Sequence, residues 1–167
     1  MDLASGLLEQ AGQLAGMERG KPRQVSRRRA ESATYYALFH LLVADAVQRV
    51  VPSSQPELRS RVSRAFQHAD MKKICKQLQQ STLTPSLDGL MPCGISPQLR
   101  TVTNIFVEAQ EARQRADYDI AARFGRSTTY FLVDQVESAF RAWKQIRMSE
   151  EANIFLAALA FASRWDR

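Results

Sequence analysis

The chain has 167 residues, 45% of them hydrophobic, 24% charged and 8% aromatic, with a formal net charge of +6. That length suits one domain that buries a core without metal or disulfide staples, and the composition excludes collagen, a disordered tail and a disulfide-framed miniprotein. The longest apolar run, Ile154 to Ala162, falls well short of the roughly 18 residues of a membrane span. The opening Met1-Asp2-Leu3-Ala4-Ser5-Gly6 lacks the charged start and long apolar stretch of a secretory signal. A soluble, cytoplasmic protein with no membrane partner is the expectation.

The periodicity is helical along nearly the whole chain. Leu3, Leu7, Leu8, Ala11 and Leu14 mark a first helix, ended by Gly16 and Arg19-Gly20-Lys21-Pro22. Ser26 is read as the cap of a long second helix with Ala30, Ala33, Ala37, Leu38, Leu41, Ala44 and Val47 on its buried stripe. Pro52 to Pro56 breaks it, and Pro56 suits the first turn of a third helix carrying Leu58, Val62, Ala65 and Phe66. A short helix follows His68-Ala69-Asp70, with Met71, Ile74, Cys75 and Leu78 as its apolar positions.

Residues 81–96 hold Pro85, Gly89, Pro92 and Gly94 and read as one long, mobile loop. Ser96 and Pro97 then start a long helix whose stripe is Leu99, Val102, Ile105, Phe106, Ala109, Ala112 and Ala116. After a break near Asp117-Tyr118-Asp119, Gly125 and Ser127 punctuate the next start, and Tyr130, Val133, Val136, Ala139, Phe140 and Trp143 keep the helical period. Ser149-Glu150-Glu151 opens a last helix, with acidic groups at its positive end. No stretch sustains the period-2 alternation of a strand. The fold class is therefore all-α: an antiparallel bundle of four to five main helices with short extra helices, in a single domain over residues 1–167.

Chemistry-bearing residues are sparse. The two cysteines, Cys75 and Cys93, and the two histidines, His40 and His68, have no metal-ligand spacing, so no metal and no cofactor is expected. No phosphate loop, HExxH or GxSxG occurs. Arginine outnumbers lysine 18 to 5, which fits phosphate recognition or a genome rich in G and C. Six Lys or Arg lie between Arg19 and Arg29, a nucleic-acid contact or a solvated face.

Two segments carry a family likeness. Arg28-Arg29-Ala30-Glu31-Ser32-Ala33-Thr34-Tyr35-Tyr36-Ala37-Leu38-Phe39-His40 resembles the N-terminal signature helix of the HEPN family (higher eukaryotes and prokaryotes nucleotide-binding domains). Ala112-Arg113-Gln114-Arg115-Ala116-Asp117-Tyr118-Asp119 is similar to the Arg-x-x-Ala-Asp-Tyr element near the end of a later long helix in small prokaryotic members. The likeness covers about residues 22–145, with the C-terminal helix, about 149–164, beyond it. It implies a helical bundle, a homodimer, RNA or nucleotide as ligand, and metal-independent ribonuclease chemistry in toxin–antitoxin or defence systems. It also implies a partner protein, such as an antitoxin nucleotidyltransferase. In such enzymes an Arg-x4-6-His motif on a late helix acts on the scissile phosphate and the ribose 2′-hydroxyl. This chain departs from that pattern. Arg113 is present, but Asp117 and Tyr118 stand where a histidine is wanted and none follows.

The candidate catalytic set is Arg113, His40 and Asp117, with Arg61 and His68 as the alternative pair. Tyr36, Tyr118, Arg28 and Arg29 are the candidate ligand-binding residues. Tyr36 with His40, and Arg113 with Asp117, are i,i+4 pairs that share helix faces. If the two long helices pack antiparallel, the four meet, either as a pocket for a phosphate or base or as a buried structural network. Arg61, Arg64 and His68 are otherwise a solvated face, with His68 near a helix C-terminus. Phe155, Leu159, Phe161 and Trp165 are core, or else a spare apolar seam for a dimer or a docked partner.

Overall fold

The computed structural model describes residues 2–17, 24–52, 55–80 and 83–161. These form eight helices: α1 (Leu3–Gly16), α2 (Gln24–Val50), α3 (Pro56–Ser63), α4 (His68–Leu78), α5 (Pro85–Asp88), α6 (Pro97–Tyr118), α7 (Arg126–Ile146) and α8 (Glu150–Phe161). No strand occurs among the described residues. The chain divides into two compact units, Met1–Leu41 with Ile105–Arg141, and Leu42–Asn104 with Ala142–Arg167. Helices α2, α6 and α7 each contribute to both. None of the helices is long and apolar enough to cross a membrane.

In the first unit, Asp2 caps α1 by accepting the Ser5 N–H at 2.8 Å. Its buried face is built from Ala4, Ala11 and Ala15, and Leu8 packs on the cluster of Ala11, Ala33 and Val133. Gly16 allows α1 to approach α7 closely, since a Cβ there would lie 2.5 Å from the Tyr130 hydroxyl. Tyr35 is fully buried and meets the Phe106 ring edge-on at 5.6 Å. That contact sets α2 against α6.

The expected cap at Ser26 fails, because Gln24 and Val25 are already helical. Tertiary contacts hold this end. Gln24 exchanges two hydrogen bonds with the Phe124 main chain, at 3.0 and 2.9 Å, and Arg27 donates to the Phe124 carbonyl at 2.6 Å. The expected α2 stripe also fails at two points: Leu41 is half-buried and Ala44 exposed, while Leu42, Val43, Asp45 and Ala46 are buried. From Ala30 to Val47 α2 is covered around most of its circumference, so a one-sided stripe does not describe it.

Glu31 lies inside this unit and accepts a hydrogen bond from the Thr129 hydroxyl at 2.8 Å. Burial pushes its carboxyl pKa up, against the opposing pull of Thr129 and Arg115. The native state therefore holds the proton more tightly than the unfolded chain. The stability this provides is complete at pH values below the unfolded pKa, about 4.3 for a glutamate, and is lost as pH rises through the higher folded value. Glu31→Gln retains an acceptor for Thr129 without the charge. It is expected to flatten that fall and to raise the urea midpoint at pH 7 relative to wild type, read from unfolding curves across pH 4–8.

In the second unit, α4 buries Met71, Ile74, Cys75 and Leu78, the four positions its spacing predicts, and contacts α8. The α6 stripe is likewise buried at all seven predicted positions, and Ser96 caps α6 by accepting the Leu99 N–H at 3.1 Å. By contrast α3 buries nothing, and Leu58 is exposed; Phe66, just beyond the helix, is buried instead. The expected long loop contains a turn of helix, α5, and is anchored by the buried side chains of Leu87 and Met91. Gly94, at φ +72°, turns the chain out of it.

The last helix is consumed by the core. Ala152, Phe155, Leu156, Ala158 and Leu159 are buried, and Trp143 packs edge-on against Phe155 at 6.0 Å. Phe155 and Leu159 are thus core, while Phe161 is exposed. Residues 162–167, including Trp165, lie outside the described residues, as do 18–23 of the basic stretch.

Candidate ligand-binding cleft

The candidate residues from both sequence segments converge within the first unit. Arg28 reaches the α6 C-terminus, Ser32 meets Asp117, and Tyr36 meets Arg113. Ser32 pairs with Asp117 and Tyr36, one turn on, with Arg113, one turn back, so the two segments run antiparallel. The Arg113 guanidinium donates to the Tyr36 hydroxyl at 3.0 Å, and its Nε lies 2.7 Å from Asp117 Oδ2. It also faces two rings, those of Tyr36 and Tyr118, at 5.4 and 5.7 Å. Ser32 donates to the other Asp117 oxygen at 2.5 Å. Burial works against the charge on Arg113, but Tyr36, Asp117 and Tyr118 together outweigh it and hold its pKa above the ordinary value. Arg113 is a fixed cation here, and it exchanges no proton.

His40 extends the same row. Its ring stacks on Tyr36 at 6.2 Å and meets Phe39 edge-on at 5.3 Å. Burial lowers its pKa, which leaves the imidazole neutral at pH 7. Tyr36, His40, Arg113 and Asp117 are therefore linked by contacts, with Ser32 as a fifth member that the spacing did not reveal. The Tyr36 hydroxyl takes its bond from Arg113, and Asp117 takes one from Ser32.

An open cleft of about 680 Å³ lies along this network. Its polar lining includes Gln10 from α1, Arg28, Arg29, Ser32 and Tyr36 from α2, and Asp117 from α6. Leu7, Leu14, Val25, Ala33 and Ala116 supply the apolar part. Leu7 and Leu14, one heptad apart on α1, are only half-buried. A cleft of this size with a few convergent polar groups matches the usual dimensions of a small-ligand site.

The candidates fall on different sides of this cleft. Tyr36, Asp117, Arg28 and Arg29 line it, whereas His40, Arg113 and Tyr118 do not. Arg28 spends its terminal nitrogens on main-chain carbonyls: Ala116 at 2.7 Å, Asp119 at 2.8 Å, Ile120 at 3.2 Å and Ala122 at 2.8 Å. Its guanidinium also lies over the Phe124 ring at 5.4 Å. It thus satisfies a carbonyl in the last turn of α6 and ties down three more in the segment beyond it. Arg29, one residue on, is exposed on the cleft wall.

The alternative pair is separated by a helix boundary. Arg61 lies in α3, while His68 is the first residue of α4. His68 thus stands at a helix N-terminus, the reverse of its expected place near a C-terminus, and the two side chains do not share a helix face. Among the described residues no group of three or more His, Cys, Asp or Glu could hold a metal ion. Comparison with family models, curated proteins and solved structures finds no match for the chain.

Proposed function

We propose that this is a HEPN-like protein that binds RNA or a nucleotide in the cleft between α1, α2 and α6. The observation that carries the reading is the joint presence, on one open cleft, of the exposed Arg29, the Tyr36 side chain and the apolar residues of α1. Arg29 supplies charge for a phosphate, and Tyr36 and Leu7 supply surface for a base. The fixed Arg113–Asp117–Ser32 network frames the cleft from behind. Within this reading the protein is a metal-independent ribonuclease of a toxin–antitoxin or defence system. On that chemistry His40 would take the 2′-hydroxyl proton and Arg113 would hold the phosphate of an RNA strand that runs on past the cleft lining, which includes neither residue.

A second reading has its own support. Arg113 makes its polar contacts within the protein, and His40 is not part of the cleft lining. This favours a non-catalytic HEPN-like module, a homodimer or a subunit that docks a partner such as a nucleotidyltransferase.

Incubation with labelled RNA in EDTA separates the two. On the ribonuclease reading, cleavage survives EDTA, and His40→Ala lowers it by roughly 10²–10⁴-fold, with His68→Ala unchanged. On either reading that keeps the cleft as ligand site, Arg29→Glu weakens RNA or nucleotide binding, and the loss shrinks as salt is raised. Unchanged binding in Arg29→Glu removes the cleft from the function.

A further inference from the structure

Past the end of α6 the chain exposes apolar surface on a segment that is firmly held. Ile120 is 92% and Tyr118 74% exposed. The Ala122 N–H donates to the Asp119 carbonyl at 3.2 Å, closing a turn with Ile120 and Ala121 at its corner. The Asp119 carboxylate folds back over that turn and accepts the N–H groups of Ala121 and Ala122, at 3.0 and 3.1 Å. Arg28 binds the carbonyls of Asp119, Ile120 and Ala122 from below, and Gln24 pins the far end through Phe124. Among the described residues nothing covers the Ile120 side chain, yet the backbone that presents it is fixed from both ends.

Charge distribution narrows what such a tip meets. Arg123 and Arg126 are exposed on the segment that follows. Of the two nearby carboxylates, Asp117 is paired with Arg113, while Asp119 keeps its charge as it accepts the N–H groups of its own turn, so Arg28, Arg123 and Arg126 outnumber the one unpaired carboxylate. The surface offered is an aliphatic and aromatic tip in a positive field. An RNA strand would use the arginines and the Tyr118 ring but would leave Ile120, the most exposed of these apolar side chains, in water. An acidic segment with apolar side chains of its own satisfies both features.

We propose that the Ile120 turn is a docking knob for an acidic, amphipathic segment of another protein. The partner seats an apolar side chain against Ile120 and Tyr118 and its carboxylates against Arg123 and Arg126. Because the turn is already ordered, binding loses little conformational freedom on this side. The proposal does not depend on the cleft, since neither Tyr118, Ile120 nor Arg123 lines it.

The test uses two labelled acidic peptides of equal length and charge, one carrying a Leu and a Phe and the other Ser at those places, with fluorescence anisotropy as readout. The apolar peptide is expected to bind wild type about tenfold or more tightly than its polar counterpart, the size of one buried aliphatic side chain. Ile120→Ser should erase that advantage while leaving urea unfolding unchanged, because the side chain is exposed. Arg123→Glu should weaken both peptides, less so in high salt. Equal binding of the two peptides, or an advantage that survives Ile120→Ser, overturns the proposal. So does Ile120→Ser weakening an oligouridine with the peptides unaffected, or converting a dimer to a monomer in sedimentation; the turn is then an RNA contact or a self-contact.

Discussion

Asp45→Ala is expected to destabilise the protein by about 2–4 kcal/mol, read as a lowered urea midpoint by circular dichroism. Asp45 is buried on α2. One carboxylate oxygen accepts the indole N–H of Trp143 at 2.7 Å, and the other accepts from Arg147 at 2.6 Å. Arg49 adds bonds to the Asn153 side chain, at 2.6 Å, and to the Arg147 carbonyl. The carboxylate therefore joins α2 to α7 and the residue just past its end, and Arg49 adds the link to α8 through Asn153. Removing it leaves a buried indole donor without an acceptor, while half-exposed Arg147 recovers water. Most of the loss is thus the indole's. Asp45→Asn keeps one acceptor and is expected to cost less than half as much. An unchanged midpoint in Asp45→Ala would mean that Trp143 finds another acceptor.

Arg113→Ala is expected to cost about 1–3 kcal/mol and to lower ligand binding in the cleft at the same time. The guanidinium bridges Tyr36 on α2 and Asp117 on its own helix, and its loss leaves a tyrosine hydroxyl without its donor and a carboxylate without its cation. Arg113→Lys keeps the charge but cannot face both rings and both oxygens with one planar fork, so only part of the stability returns. The contrast with Arg29→Glu is the informative one. Arg29 is exposed, so its replacement leaves the urea midpoint in place and acts on binding alone. If Arg113→Ala abolishes RNA cleavage while the urea midpoint stays within error of wild type, Arg113 belongs to the chemistry and not to the frame.

Homodimerisation has fewer candidate surfaces than the sequence offers. The apolar face of α8 is taken by Trp143, α4 and the rest of the second unit's core. The helix reads as a spare in the sequence because each stripe is counted separately, whereas a core takes its members from several helices at once.

What the sequence determines by itself is the part of the structure with one-sided periodicity. α4 buries a single stripe that spacing alone identifies, and α6 buries all seven predicted positions together with Thr103, Val107 and Gln110, which widen its stripe. The Ser96–Pro97 start of α6 is legible because capping chemistry is local, within three residues. The two i,i+4 pairs of the candidate site are legible for the same reason, since helix geometry places Tyr36 with His40 and Arg113 with Asp117 whatever surrounds them.

Only the tertiary structure decides the rest. α2 is covered around most of its circumference, so its sequence has no single stripe to read, and Leu41 and Ala44 are misplaced by treating it as amphipathic. Ser26 is not its cap, because Gln24 and Val25 are already helical and Gln24 is held by Phe124, a partner about a hundred residues away. Arg28 reads as a ligand residue because arginine is a phosphate binder. Its actual partners are main-chain carbonyls, which every residue carries and which therefore leave no mark in the sequence. The same holds for Asp45 and Trp143, 98 positions apart: local spacing cannot encode a bond whose two ends meet only once the helices have packed.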